Sequence, residues 1–339
     1  MSWLLGLLGV GIFALWRIIR RIQRILRGNV SGEIQKVDLK DQIFCVTGGN
    51  RGIGLETTKI LLSWGGFVIL GVRDVKLCQD ELDKILSNDE KQRVLVASLD
   101  LSSFESVHQF VRVNFIEPKR KLHCLINNAH HSGLVHMSST RDRIEYSYQV
   151  NYLSHCLLTL LLVPILNSTK GANTSRIVHV GSRTYAFGKV RRDCYGAKNR
   201  GLLSYDPNQI YPDTKLMQLL FSKSLTKYFQ KFGYKISSNY VHPGGLVRTT
   251  TEWIRGPEYS LAMRLEPLLM KFAGTNVVDA ARAVVHAATY DPPVIQSYQY
   301  FDTTELKEIS SNSQLEDDEV WLWDNTLELI DFPIQGLFQ

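Results

Sequence analysis

Short apolar runs alternate with helical patterns from residue 41 onward, and this alternation constrains the fold more than any other feature. The apolar runs are rich in β-branched residues and lie at 42–47, 67–72, 93–98, 122–126, 175–181, 236–241 and 294–301. Helical patterns separate most of them, near 53–64, 76–87, 103–114, 141–166, 210–231 and 276–289. Strands that alternate with helices form a parallel sheet covered on both faces, so the pattern predicts an α/β fold.

The positive charge of the chain lies mostly in its first 40 residues. The sequence of 339 residues carries 39 Lys and Arg against 33 Asp and Glu, a net charge of +6. Residues 1–40 contain seven basic and two acidic side chains, which leaves 32 against 31 for residues 41–339. Because a nucleic-acid-binding domain usually carries a basic surface, we expect no nucleic-acid partner.

An uncharged segment precedes this basic cluster. Residues 2–16 carry no charge, and arginines then recur at helical spacing at Arg17, Arg20, Arg21, Arg24 and Arg27. We interpret residues 1–27 as a membrane anchor with a basic amphipathic helix that contacts membrane lipid, since a cleaved signal peptide has the reverse order. A spanning helix needs about 20 apolar residues, so spanning and one-leaflet insertion both stay open. The positive-inside rule predicts that the remainder faces the cytosol, on the endoplasmic reticulum, another intracellular membrane or a lipid droplet.

The cysteines do not follow a disulfide or metal-binding pattern. Five of them lie far apart, with no C-x-x-C, at Cys45, Cys78, Cys124, Cys156 and Cys194. An odd number of dispersed cysteines predicts reduced thiols and a cytosol-facing compartment. No cluster of His and Cys has the spacing of metal ligands, so we expect no metal site.

A glycine-rich turn, TGGNRGIG at 47–54, follows the first predicted strand and opens a helix. Glycines let the backbone approach a pyrophosphate at a helix N-terminus, which predicts a dinucleotide site. The predicted contacts in this turn come from Thr47, Gly48, Asn50, Arg51, Gly52, Ile53 and Gly54. Val72 stands where enzymes that use NAD place an acid, whereas Arg51 and Arg73 can receive a 2′-phosphate. We therefore favour NADP(H) over NAD(H), and interpret Asp74 as pairing with a neighbouring basic side chain.

Two Tyr-x-x-x-Lys pairs are candidates for proton transfer. Tyr185–Lys189 lies in an irregular stretch, whereas Tyr211–Lys215 opens a long helical pattern in which both side chains share a face. A Lys ammonium there lowers the pKa of the phenol, although a solvated helix face is the alternative. Ser182 follows a predicted strand at the sheet edge where open α/β folds bind ligands, and a turn or capping serine is its alternative role.

Taken together, these segments resemble the short-chain dehydrogenase/reductase family, in its membrane-anchored, retinol-dehydrogenase-like branch. The other matching motifs are LINNA at 125–129, VNYLSH at 150–155, IVHVGS at 177–182, YPDTK at 211–215, HPG at 242–244, YFD at 300–302 and LWDNTLELI at 322–330. The resemblance implies a Rossmann-type, doubly wound parallel sheet of about seven strands. Because the family commonly forms dimers or tetramers, it also implies a second copy of the chain as a partner. It places the catalytic domain at 41–303, after a linker at 28–40, with a tail bearing a short helix at 304–339.

The resemblance also implies residue roles. Tyr211 would exchange a proton with the substrate oxygen, and Lys215 would hold the nicotinamide ribose and tune Tyr211. Ser182 would hydrogen-bond the carbonyl oxygen, and Asn151 would position Lys215 and a water in a proton relay. The remaining implied cofactor contacts are Asp100 at the adenine edge, Leu101, Asn128 and Ala129 at the ribose, and Pro243, Gly244 and Thr249.

The sequence departs from the family pattern at three places. His130 replaces a glycine beside the cofactor, which would cost strain if that glycine had a positive φ. Gly181 stands where a second serine is common, and the segment 242–249 is one residue longer than the family form.

Two irregular stretches, 183–209 and 246–275, are longer than ordinary connections, which is typical of binding or lid segments. We interpret the apolar segment 251–275 as a lid over a large apolar substrate, with ordinary helix packing as the alternative. The resemblance thus implies a membrane-associated NADP(H)-dependent oxidoreductase that interconverts a lipophilic alcohol of retinoid, sterol, fatty or isoprenoid type with its aldehyde or ketone. The alternative is an NADP(H)-binding membrane scaffold or sensor with little or no turnover, which His130 and the longer loop would favour.

Overall fold

The structure is a computed structural model that describes residues 34–131, 136–169, 175–203, 205–245, 247, 274–291, 298–309 and 313–333. The predicted anchor at 1–27, nearly all of the predicted lid at 251–275 and the predicted cofactor residue Thr249 lie outside these ranges.

The centre of the domain is one eight-stranded sheet. Its strands are β1 Ile43–Thr47, β2 Phe67–Val72, β3 Val94–Ser98, β4 Cys124–Asn127, β5 Ser175–Val180, β6 Ile236–His242, β7 Gln299–Asp302 and β8 Glu305–Lys307. Their order is β3-β2-β1-β4-β5-β6-β7-β8. The first seven pair in parallel, and β8 pairs antiparallel with β7. The predicted Rossmann-type parallel sheet is confirmed, and β8 is an addition at its edge.

Ten α-helical segments accompany the sheet in the described ranges. They are α1 Gly52–Ser63, α2 Val75–Ile85, α3 Asn88–Lys91, α4 Phe104–Val111, α5 Tyr146–Tyr148, α6 Ser154–Ser168, α7 Arg192–Tyr195, α8 Ile210–Phe232, α9 Val277–Thr289 and α10 Ser313–Leu329. The helix predicted near 141–166 begins at Tyr146, five residues later than expected. A π-helical turn at Gln149–Leu153 joins α5 to α6 within it. A 3₁₀ turn at Arg183–Phe187 follows β5.

The strands bury both of their faces, which explains their apolar sequences. In β1, Cys45 packs into the layer formed with α4, α6 and α8, whereas Phe44 and Val46 pack into the layer of α1, α2 and α9. Side chains of a strand alternate between the two faces, so each run supplies both layers. All five cysteines are buried and unpaired, as predicted.

One helical stretch in the described part of the chain, Tyr146–Ser168, is apolar and long enough by composition to cross a bilayer. Within its most apolar window, 78% of the residues are buried inside the domain. Packing against the sheet therefore accounts for its composition, since a helix that is apolar on all sides belongs in a core.

The C-terminal helix α10 belongs to the same core. Trp323 stacks on Tyr228 and Phe221 of α8 at ring-centroid distances of 4.3 and 5.6 Å. Thr326 Oγ1 and Tyr152 Oη share a buried hydrogen bond of 2.7 Å. This helix has 17 residues, so it is longer than the short helix expected in the tail at 304–339.

Candidate active site

A cleft of about 320 Å³ opens at the carboxyl ends of β1 to β4. The chain order reverses at β1, because β2 lies on one side and β4 on the other, and open α/β sheets bind ligands at such a point. Among the predicted cofactor residues, those that line the cleft are Gly48, Asn50, Arg51, Gly52, Ile53, Gly54, Arg73, Asp100, Leu101, Asn128 and Ala129. The volume is in the range of small-molecule sites.

The glycine-rich turn needs its glycines for its backbone conformation and for close packing at the start of α1. Gly48 has φ +66°, which favours glycine. A Cβ on Gly54 would lie 2.4 Å from the Gly48 carbonyl oxygen and 2.5 Å from Asn128 Nδ2. Arg51, just before α1, makes no side-chain capping bond, so the first amides of α1 meet the cleft uncapped. A helix N-terminus with open amides suits a pyrophosphate.

Thr47 lies beneath the cleft rather than on its lining. Its buried hydroxyl accepts hydrogen bonds from the amides of Asn128 and Ala129 at 2.9 and 3.0 Å. The same hydroxyl lies 2.9 Å from His155 Nε2, so its single hydrogen goes to that nitrogen. His155 therefore carries its proton on Nδ1, which donates to the Asn151 carbonyl at 3.1 Å. Thr47 fixes the turn after β4 and, through His155, the backbone of Asn151.

Two arginines stand at the cleft where a 2′-phosphate was predicted. Arg51 and Arg73 are both exposed and line it, and Arg73 Nη1 donates to Tyr146 Oη at 3.0 Å. Among the described residues Asp74 forms no ion pair with a basic side chain, contrary to the prediction. Its carboxylate accepts from the Leu77 amide at 2.9 Å and caps α2, the ordinary function of an aspartate before a helix. Desolvation, assisted by the charges of Arg73 and Arg51, lowers the pKa of His131, which also lines the cleft, so both charges act on this region.

Hydrogen bonds within the turn after β3 hold the Asp100 side chain in place. Its Oδ1 accepts from the amide and the hydroxyl of Ser102 at 2.9 and 2.7 Å. The carboxylate is thereby held on the cleft lining, at the end where the family places the adenine.

The four predicted catalytic residues come together beside this cleft. Ser182 follows β5, Tyr211 and Lys215 lie in the first turns of α8, and Asn151 lies in the π-helical turn before α6. The Ser182 side chain lies near enough to the Tyr211 phenol to influence its pKa, and Lys215 Nζ lies 5.4 Å from the centroid of the Tyr211 ring. Ser182 also accepts from the Thr184 amide at 3.2 Å, so it caps the 3₁₀ turn as well.

The other Tyr-x-x-x-Lys pair has different surroundings. The Tyr185 ring packs edge-on against Tyr300 and Tyr240 at 5.8 and 6.0 Å. Lys189 is exposed, and its amide donates to Asp213 at 2.8 Å. The ammonium that stands next to a tyrosine at this site is that of Lys215.

Lys215 is a buried cation with neutral partners. It is 1% exposed, and Nζ donates to the Val180 carbonyl at 2.8 Å and to Gln218 Oε1 at 3.0 Å. Burial lowers the pKa of Lys215 to about 7. Burial also raises the pKa of Tyr211 to about 12, and the nearby Ser182 side chain opposes that rise. The site therefore holds a phenol and an ammonium whose proton affinities respond to small changes in their partners.

Asn151 fixes the segment that follows β4. Its Oδ1 accepts from the His131 amide at 2.6 Å, and its Nδ2 donates to the His131 carbonyl at 2.8 Å. Asn151 reaches Lys215 through Gln218, whose Nε2 donates to the Asn151 carbonyl at 2.7 Å. Sequence reasoning missed Gln218, although its position three residues after Lys215 on one helix face was a usable signal.

His130, which replaces a family glycine, is accommodated without the expected strain. It is absent from the described non-glycine residues with positive φ, so the predicted cost does not arise. Its ring opens onto the cleft, 5.9 Å from the Tyr211 ring centroid. Desolvation in the cleft, assisted by the Lys215 charge, lowers the pKa of His130 to about 4. The imidazole is neutral at neutral pH.

Gly181 is required by a buried tyrosine that sequence reasoning also missed. A Cβ at Gly181 would lie 1.9 Å from Tyr240 Cζ. The Tyr240 hydroxyl accepts from the Ser182 amide at 3.0 Å and lies 3.1 Å from the Ser182 carbonyl and 3.2 Å from the Lys215 carbonyl. Tyr240 thus joins the backbones that carry two of the predicted catalytic side chains.

The predicted cofactor residues Pro243 and Gly244 follow β6, away from the lining of the described cleft. Gly244 has φ +126°, and a Cβ there would meet Thr275 at 2.8 Å. The loop thus packs on the segment before α9.

Comparison with known proteins agrees with this geometry. A family model described as short chain dehydrogenase matches residues 42–206. Retinol dehydrogenase 11 of Homo sapiens is 31% identical over 325 residues, which cover 95% of each chain. Retinol dehydrogenase 12 of Mus musculus is 30% identical over 333 residues, which cover 97% of this chain and 98% of that one.

Solved structures share the fold. Salutaridine reductase from Papaver somniferum is 21% identical with a TM-score of 0.55, covering 77% of this chain and 99% of that chain. L-Sorbose reductase from Gluconobacter frateurii, solved with NADPH and L-sorbose, is 21% identical with a TM-score of 0.56, covering 81% and 100%.

The sheet, the glycine-rich cleft and the adjoining Ser, Tyr and Lys side chains define an oxidoreductase that acts on CH–OH groups with a nicotinamide dinucleotide. The chain belongs to the short-chain dehydrogenase/reductase family, and within it to the retinol-dehydrogenase-like branch.

The contact between Gly181 and Tyr240 gives a testable prediction. Gly181→Ala forces the Tyr240 ring away from Ser182, so we expect the free energy of unfolding in urea to fall by about 1–3 kcal/mol. Adding Tyr240→Leu removes the ring, so the two substitutions should cost less together than the sum of their separate costs. Additive costs would contradict the assigned contact.

Proposed function

We propose that the chain is an NADP(H)-dependent oxidoreductase that interconverts a lipophilic alcohol with its aldehyde or ketone at a membrane. The observation that carries the proposal is the proximity of the Ser182 hydroxyl, the Tyr211 phenol and the buried ammonium of Lys215, at the edge of a cleft with a glycine-rich turn. Carbonyl reduction needs a proton donor, a hydrogen bond to the carbonyl oxygen and a nearby positive charge, and these three groups can supply them.

The cofactor would lie along the cleft. The amides at the start of α1 would bind the pyrophosphate, and Asp100 would bind the adenine edge. Lys215 donates two of its three N–H groups to Val180 and Gln218, which leaves the third for the nicotinamide ribose. When bound, the nicotinamide supplies or accepts the hydride.

The chain's own residues handle the proton. During reduction, the Tyr211 phenol donates its proton to the carbonyl oxygen of the substrate, and the Ser182 hydroxyl donates a hydrogen bond to the same oxygen. The Lys215 charge stabilises the phenolate that forms. In the oxidation direction, the phenolate accepts the alcohol proton.

The preference for NADP(H) rests on charge. Val72, at the end of β2, offers no carboxylate to a ribose 2′-hydroxyl, and Arg51 and Arg73 flank the same end of the cleft. Guanidinium groups form strong charge-assisted bonds with phosphate.

The substrate class rests on the relatives and on the sequence. Relatives named retinol dehydrogenase align over nearly the whole chain, which favours a retinoid over a sterol, a fatty aldehyde or an isoprenoid alcohol. The apolar N-terminal segment with its arginine cluster supports attachment to a membrane, where such substrates dissolve. The proposed partners are therefore a lipophilic substrate, membrane lipid and a second copy of the chain.

A scaffold or sensor without turnover is the less favoured proposal. The strain expected at His130 was one of its two motives, and His130 has no positive φ. The proton-transfer residues lie together, which favours an enzyme.

Loss of the phenol tests the proton-transfer role. Tyr211→Phe should lower kcat for NADPH-dependent reduction of all-trans-retinal by about 10²- to 10⁴-fold, because no general acid remains. The matched control, Tyr185→Phe in the other Tyr-x-x-x-Lys pair, should stay near the wild-type rate. An active Tyr211→Phe with an inactive Tyr185→Phe would assign the role to Tyr185.

Cofactor preference tests the arginine assignment. Arg73→Ala should lower the ratio of kcat/KM with NADPH to kcat/KM with NADH by about 10- to 100-fold, since a charge-assisted bond to the 2′-phosphate is lost. Arg112→Ala, which removes an exposed arginine paired with Glu117 outside the cleft lining, is the control. An unchanged ratio in Arg73→Ala would exclude Arg73 from phosphate recognition.

A further inference from the structure

Gln218 lies on α8 three residues after Lys215 and is 1% exposed. Its Oε1 accepts from Lys215 Nζ at 3.0 Å, and its Nε2 donates to the Asn151 carbonyl at 2.7 Å. An ammonium can only donate and a carbonyl can only accept, so chemistry fixes which end of the amide faces each partner. The side chain is a direct bridge between two residues that the family resemblance assigns to catalysis.

The Asn151 carbonyl is held from a second side as well. His155 Nδ1 donates to it, because Thr47 supplies the hydrogen bond to Nε2. A carbonyl oxygen has two lone pairs, so it can accept hydrogen bonds from both side chains. The hydrogen bonds thus run without a gap from Thr47 through His155, Asn151 and Gln218 to Lys215.

Among the residues that the structure describes, the groups that face the Lys215 charge carry no compensating negative charge. They are the neutral phenol of Tyr211 and three histidines, His130, His155 and His179. Burial lowers the pKa of His155 and of His179 to about 3, and desolvation lowers that of His130 to about 4, so all three are neutral at neutral pH. The described acceptors of the ammonium are two neutral oxygens, one of which belongs to Gln218.

A buried ammonium stays charged only where hydrogen bonds replace its hydration. The Val180 carbonyl is part of the backbone of the sheet, so a side-chain substitution does not remove it. The other acceptor is the side-chain oxygen of Gln218, which a substitution at this position can remove. Gln218 also restricts the direction of Nζ, because its other end is fixed on the Asn151 backbone.

We propose that Gln218 is a positioning residue that keeps the Lys215 ammonium charged and directs its remaining N–H toward the nicotinamide ribose. The inference rests on the proposed function and adds a residue to it. Gln218 itself contacts neither substrate nor cofactor and acts through Lys215.

Two substitutions of similar size separate this role from simple packing. Gln218→Met removes the acceptor, so the ammonium is less stable and Lys215 loses its proton at lower pH. Gln218→Glu places a carboxylate beside Nζ, so Lys215 keeps its proton to higher pH. A packing role predicts no such opposite pair of shifts.

The experiment uses the full chain in detergent micelles, with NADPH and all-trans-retinal as probes. Reduction requires a charged Lys215, so kcat falls as the pH rises through its pKa. This alkaline limb should move down by about one pH unit in Gln218→Met and up by about one unit in Gln218→Glu, the size expected for one bond to a charged group. The dissociation constant of NADPH is measured by its fluorescence across the same pH range. The pH at which binding weakens should also move down in Gln218→Met and up in Gln218→Glu.

Gln230→Met is the matched control, because it makes the same substitution at an exposed position of the same helix. It should keep the wild-type pH profile and NADPH affinity. If Gln218→Met does not fold, Gln218→Glu alone decides, since an unmoved or lowered limb in that variant overturns the proposal.

The proposal is also overturned if the wild type is active but the alkaline limbs of Gln218→Met and Gln218→Glu stay at the wild-type pH or move in the same direction. A wild type that neither binds NADPH nor reduces retinal would instead contradict the proposed function itself. The two failures are therefore distinguishable.

Discussion

The burial of one ammonium group organises the active site. Lys215 is 1% exposed, and a charge so placed is costly unless hydrogen bonds replace its hydration. Its bonds to Val180 and Gln218 tie α8 to the end of β5 and, through Gln218, to the π-helical turn that carries Asn151. Tyr211 lies one turn earlier on α8, so the same bonds hold the phenol beside Ser182. The hydrogen bonds that position the Lys215 charge therefore also position the Tyr211 phenol.

A second set of buried bonds positions the cofactor cleft relative to these residues. The Thr47 hydroxyl binds the amides after β4 and, through His155, the Asn151 backbone. Because β1 and β4 are the central strands where the chain order reverses, this hydroxyl lies at the switch point of the sheet. The glycine-rich cleft and the predicted proton-transfer residues are therefore connected through the protein interior.

The sequence predicted those parts of the structure that have a local signal. Seven parallel strands, the glycine-rich turn and the proximity of Ser182, Tyr211 and Lys215 follow from periodicity and motifs, and β8 was missed because three exposed residues show no apolar alternation. Gln218 and Asn151 are 67 residues apart, and Tyr240 and Ser182 are 58 apart, so only the fold reveals these contacts. The cap formed by Asp74 had a local signal, an acid before a helix, but was interpreted as an ion pair.

Hydride transfer is the central claim of this account, and isotopic labelling measures it directly. NADPH that carries deuterium at both positions of nicotinamide C4 is incubated with the wild-type chain and all-trans-retinal, and the retinol formed is analysed by mass spectrometry. We expect one deuterium on the carbinol carbon, because the hydride comes from C4 and the oxygen receives its proton from Tyr211. A chain that binds NADPH but transfers no deuterium to retinal or to other lipophilic carbonyl compounds would contradict the account and identify a binding protein instead of an enzyme.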